Sequence, residues 1–226
     1  MGEKKKEEQR SLPKLTDLNI DKYCENVKQE KKGTDDVIHF TSSLNIKVIC
    51  SKINNGNNNT VSDNSLMVEE EKEKEKFRNE ISRLFFHKEL NVMEEEYDLY
   101  VFIIHSSLLN PNREGHWAIL LFCCDDENFY YYDSIPHYCY KEALYVINIL
   151  LDFGFTISNQ CNVIIPNFFP KQMDNWECGY FVIVTSYLIC TFSHPLSKAE
   201  IQSSLDLYTL SNFKKIYESI INFQQC

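Results

Sequence analysis

At 226 residues, with 43% hydrophobic and 13% aromatic content, the chain is long enough for one globular domain with a proper core and is not of disordered composition. Its net charge of −10 argues against a nucleic-acid binder, which would carry a basic stripe, and is compatible with a partner that presents a basic face. The longest apolar segments are about a dozen residues and are broken by Asn, Asp, Thr or Ser, so none of them reads as a membrane span.

The opening MGEKKKEEQR is charged from the start, lacks the apolar stretch of a signal peptide, and puts Lys6 where a myristoylation signal needs Ser or Thr. Residues 1–12 read as a mobile charged tail, residues 13–226 as one domain, and the protein as cytoplasmic or nuclear. In that setting nine cysteines, an odd number without C-x-x-C spacing, are reduced thiols, neither a disulfide frame nor a zinc site.

In chain order, LTDLNIDKYCENVKQE places Leu15, Leu18, Ile20, Tyr23 and Val27 at helical spacing, with Thr16 or Asp17 as the cap. VIHFTSSLNIKVIC mixes a short strand with a helix start. The Asn-rich stretch near 54–64 reads as an exposed insertion loop, and the alternating charges of 69–80 as a solvated helix face. DLYVFIIH (98–105) is a buried strand. HWAILLFCC (116–124) and NFYYYDS (128–134) form a hairpin about a three-residue acidic turn, with Cys123 and Cys124 on opposite faces of the strand. KEALYVINILLDFGF (141–155) is helical, with Leu144, Ile147, Leu150 and Leu151 as its apolar face. CNVIIP (161–166) is a short strand, a helix runs from Cys178 to about Phe192, and 195–224 holds one or two amphipathic helices. The pattern predicts an α+β domain, a central mixed or antiparallel sheet packed by helices.

Cys178 opens that long helix, where unpaired N–H groups and the macrodipole favour an anion, and Gly179 beside it keeps the approach uncrowded. A cysteine attacks as the thiolate and needs a partner base. Of six histidines, His116 is the best placed, at the start of a buried strand after the irregular NPNREG loop. The hairpin returns Asp133 to the same edge, where it can orient the imidazole. Gln172, in the loop before the cysteine, can donate to an oxyanion beside the backbone N–H of Cys178. Singly, each has a plainer reading: a solvated rim histidine, a turn aspartate, a core cysteine. Together they describe a site.

GHWAILLF, YYDS and QMDNWECGY resemble the ubiquitin-like-modifier proteases of the Ulp/SENP family of cysteine peptidases. The order His, Asp, Gln, Cys fits that family and differs from papain, where the cysteine comes first. So do the seventeen positions from His116 to Asp133 and the six from Gln172 to Cys178. The resemblance covers 98–190 and reaches weakly to LTDLNIDKY. It implies a papain-like fold of the Ulp type with the nucleophile at a helix N-terminus. It also implies Cys178, His116, Asp133 and Gln172 as catalytic residues, and Trp117, Trp176 and Gly179 against the modifier's C-terminal tail.

The implied partners are a ubiquitin-like modifier and its conjugates, met by a monomer without metal, cofactor, nucleic acid or membrane. The compact chain resembles the small deneddylases, which inclines the expectation to a Nedd-type modifier ahead of SUMO. Two features depart from the family. Lys14 stands where it has its first tail-clamping tryptophan, and Glu177 replaces the usual Asp before the nucleophile. A non-catalytic modifier-binding pseudoprotease, which Lys14 favours, and a Cys-His-acid acyltransferase are the alternatives.

Overall fold

The computed structural model describes residues 12–30, 38–41, 98–152 and 161–224. The charged tail, the Asn-rich insertion and the charged helix at 69–80 lie outside them. Five strands form one mixed sheet in the order β1-β2-β3-β4-β5: Ile38–Thr41, Leu99–His105, Trp117–Cys123, Asn128–Tyr132 and Val163–Ile164. The central pairs β2/β3 and β3/β4 are antiparallel, and the two outer pairs, β1/β2 and β4/β5, are parallel. The helices are α1 (Asp17–Glu30), α2 (Tyr140–Asp152), α3 (Cys178–Phe192), α4 (Lys198–Ser203) and α5 (Leu210–Gln224), with a 3₁₀ turn at Leu205–Tyr208 before α5.

Period-two alternation sorts the strand residues into two cores. Val101, Ile103, Ile119 and Leu121 face α1, α3 and α5, while Phe102, Ile104, Leu120, Phe122 and Tyr131 face α2. Helices thus cover both faces, which is why every residue of β3 is buried. Helix α3 is apolar nearly all round because it lies between the sheet and α1. It ends where Ser193 adopts φ 57° and returns its N–H to the Ile189 carbonyl at 2.8 Å.

The hairpin forms as expected, with the turn widened by a residue: β3 stops at Cys123, and Cys124 turns away to donate its N–H to the Asp98 carbonyl at 2.8 Å. Cys123 is core and Cys124 half-buried. Two helical faces need correction. In α1, Thr16 caps by accepting from the Asn19 N–H at 3.4 Å, but Leu18 is 58% exposed and Cys24, four residues after Ile20, takes the buried position. In α2, Leu151 points outward and Ala143 and Val146 join Ile147 and Leu150 inside. The C-terminal segment holds two short elements and the longer α5, the capping box of Ser197 and Glu200 starting the first.

Gly179 has a packing duty. A Cβ there would stand 3.0 Å from Leu15 Cβ and 3.3 Å from Ile20 Cδ1, so its absence lets α1 press onto the first turn of α3. Gly179→Ala gains helix propensity of up to ~1 kcal/mol and loses ~1–3 kcal/mol to overpacking. A net loss near 1 kcal/mol is expected, read as a melting point lower by about 2–4 °C.

Candidate active site

Three chain segments converge at one end of the sheet. β2 ends at His105, which pairs with Trp117 at the start of β3, and β4 runs antiparallel to β3, so Asp133 just beyond its end returns to His116. His116 Nε2 and Asp133 Oδ1 lie 2.6 Å apart, both side chains buried. Cys178 acts on the same imidazole and, with Asp133, favours its protonated form. Cys178 is the first residue of α3 and is 0% exposed. The sequence-predicted His, Asp and Cys therefore form one continuous line.

The electrostatics of that line follow from burial and partners. Burial pulls the imidazole down, but hydrogen bonds to Asp133 and Cys178, and attraction to both, override it and raise His116 from 6.5 to about 9. An imidazolium is therefore favoured at neutral pH, the state that stabilises a thiolate beside it. Asp133 is held by four donors. Oδ1 accepts from His116 and from the Ile135 N–H at 2.9 Å, while Oδ2 accepts from the Tyr131 hydroxyl and from the Cys139 N–H at 3.1 Å. Burial first, then the Asp133 charge, push the Tyr131 phenol far up, so it remains a donor.

Gln172 sits beside this line. The Ser134 hydroxyl donates to its Oε1 at 2.6 Å and its backbone N–H donates to the Ser134 carbonyl at 3.2 Å. That pairing turns the side-chain NH₂ the other way, where it donates to the Asp174 carbonyl at 2.7 Å. The loop between Gln172 and Cys178 is folded about Glu177, whose Oε2 accepts the N–H groups of Met173 at 2.6 Å and Asp174 at 3.1 Å. The longer side chain at the position before the cysteine thus organises the loop.

The three residues expected against a modifier tail are each packed within the chain. Trp117 is 3% exposed and packs against His105, the ring centroids 4.2 Å apart and the planes tilted by 54°. Trp176 is half-buried on Tyr180 and Phe213. Gly179 faces Leu15 and Ile20. Lys14 lies at the surface, its Nζ 3.9 Å from where a Gly115 Cβ would be, next to His116.

Ser106, Tyr131 and Ser134 escaped the sequence reading. Ser106 is fully buried and bridges the His116 loop, donating to the Glu114 carbonyl at 2.7 Å and accepting the His116 N–H at 2.9 Å. Tyr131 had a signal: near the end of β4 and two residues before Asp133, it points to the side from which Asp133 is reached, as its hydroxyl bond to that carboxylate shows. His116, Asp133 and Cys139 bring metal-ligand atoms within 4.8 Å of one another. However, His116 and Asp133 spend theirs on each other. The Cys139 thiol, pushed up mainly by burial, keeps its proton and donates to the His116 carbonyl at 3.7 Å.

No family model matches the chain. "Probable sentrin-specific protease 8" of Dictyostelium discoideum is 27% identical over 110 residues, 45% of this chain and 43% of that protein, so the match spans less than half of that relative. The Ulp1-like SUMO protease catalytic domain of Chaetomium thermophilum superposes with a TM-score of 0.51 at 15% identity, covering 92% of this chain and 72% of that one. At that identity the likeness is one of fold: the α+β fold of the Ulp-type cysteine proteases. Among the described residues, no helix is long and apolar enough to cross a membrane.

Proposed function

From a chain with the Ulp-type cysteine-protease fold and a sentrin-specific-protease relative in sequence, we propose a cysteine isopeptidase that removes a ubiquitin-like modifier from lysines of target proteins or processes its precursor. The observation that carries this is the line Asp133–His116–Cys178 at the N-terminus of α3.

The Cys178 thiolate attacks the carbonyl carbon of the modifier's C-terminal glycine, and the carbonyl π electrons move onto oxygen. The Cys178 N–H and the Gln172 side-chain N–H stabilise that oxyanion, the amide turning from the Asp174 carbonyl toward the substrate. As the tetrahedral intermediate collapses, the C–N bond breaks and His116 gives its proton to the departing lysine amine. The neutral imidazole then takes a proton from water, whose oxygen attacks the thioester, and the thiolate leaves with the modifier's carboxylate free. Asp133 keeps the ring oriented throughout.

A Nedd-type modifier is favoured ahead of SUMO, on the short stretch between Asp133 and Cys178. Modifiers carrying a C-terminal electrophile test both levels. The protein is incubated with Nedd-type, SUMO and ubiquitin probes, and adducts are mapped by mass spectrometry. A Cys178 adduct with the Nedd-type probe supports the full reading, and one with SUMO or ubiquitin corrects only the modifier. No adduct with any probe, from a folded protein that still binds one of them, replaces the enzyme by a modifier-binding pseudoprotease.

A further inference from the structure

Tyr138 packs against the His116 ring, the ring centroids 4.8 Å apart and the planes tilted by 58°. What fixes Tyr138 comes from the His116 loop itself. The Arg113 guanidinium lies 4.2 Å over the Tyr138 ring centroid, and its NH2 group donates to the Tyr138 carbonyl. Its NH1 group donates to Glu142 Oε1 at 2.8 Å. The Arg113 side chain is 30% exposed, whereas that of Glu142 is 2% exposed and its other oxygen has no partner. One arginine thus grips a ring, a carbonyl and a buried carboxylate at once, a fork geometry that lysine cannot reproduce.

The gripped segment is the one that holds the acid. Residue 139, next to Tyr138, supplies the backbone N–H that bonds Asp133 Oδ2. We propose that Arg113 is a positioning residue for the reaction, setting His116 through the Tyr138 ring and Asp133 through the backbone at Tyr138–Cys139. This rests on the protease reading for its importance, but not for its test. Arg113 touches neither Cys178 nor the place of the scissile bond. A shift of the imidazole by an ångström is enough to cost a reaction of this kind a factor of about a hundred.

The confounding effect is structural. Removing Arg113 alone leaves Glu142 as a buried, unpaired carboxylate, which destabilises the start of α2. Removing the pair together is close to neutral for stability. The experiment therefore compares wild type, Arg113→Lys, Arg113→Met and the double variant Arg113→Met with Glu142→Met, which replaces the pair by apolar side chains of similar volume. The readouts are melting temperature and the pH profile of iodoacetamide alkylation at Cys178, followed on the peptide that contains it. Where a modifier substrate is cleaved, kcat and KM are read as well.

Arg113→Met should slow Cys178 alkylation at neutral pH by about tenfold and move the profile to higher pH, with kcat lowered and KM within twofold. The double variant should regain the wild-type melting temperature and keep the altered profile, and Arg113→Lys should fall between. Recovery of both melting temperature and profile in the double variant overturns the proposal, as does a Lys variant with a wild-type profile. If Arg113→Met does not fold, the Lys and double variants decide. Because alkylation needs no modifier, a wild type that labels with no modifier probe sinks the protease reading and leaves this test standing.

Discussion

Cys178→Ala is expected to abolish probe labelling and turnover together, with a loss of at least ~10⁵-fold in kcat, while the protein stays folded. The side chain is completely buried at the start of α3, and alanine fits the same space with only the sulfur missing. The variant also removes one of the two partners that hold a proton on His116, so the imidazole should titrate nearer its ordinary value, observable by NMR of the ring protons. Cys190→Ala is the matched control: that thiol is buried on the same helix, and its loss should cost stability and leave the chemistry alone. If Cys190→Ala loses activity as completely as Cys178→Ala, the nucleophile is wrongly assigned.

Asp133→Asn comes second, with an expected fall in kcat of about 10²- to 10⁴-fold. The change is harsher than loss of one charge. Each Asp133 oxygen accepts one backbone N–H, from Ile135 or from Cys139, so whichever position the new NH₂ takes, it meets a donor that cannot turn round, and against His116 it selects the wrong tautomer. One such mismatch in a buried place costs about 1–3 kcal/mol, enough to displace the imidazole or the Tyr138–Cys139 backbone.

The pH behaviour follows with its sign. His116 is raised from 6.5 to about 9 in the folded protein, so the stability its pairing contributes is fully present below pH 6.5 and is lost as pH rises through about 9. The same titration removes the proton that the leaving amine needs, and the alkaline limb of kcat/KM should fall near 9. In Asp133→Asn that limb should move down toward 6.5. An alkaline limb unmoved by the substitution would show that the ionisation belongs to another group.

How far the site was legible depended on how local its signals are. His116 and Asp133 could be paired on paper because seventeen positions folded about an acidic turn leave a hairpin little choice of register. Cys178 could be put at a helix start because the apolar run begins there. Leu18 was placed in the core and Cys24 was not, because four apolar positions on a short helix fit two neighbouring stripes and only the contact with α3 selects one. Ser106 and the Arg113–Glu142 pair had no signal at all. They are contacts between loops and distant elements, with no period to reveal them, and their residue types are ordinary on any surface. Gly179 was noticed for openness and turns out to matter for closeness.

The seating of the acid and base on one hairpin divides the site into a local half and a long-range half. Their separation of seventeen residues closes at small entropic cost, so this half rests on nearby chain. The nucleophile's seat rests on distant chain: α3 packs against α1, a contact fastened by the Tyr180 hydroxyl on the Pro13 carbonyl across 167 positions. Loosening that contact, as crowding at Gly179 should, is therefore expected to disturb Cys178 while leaving the His116–Asp133 pair in place.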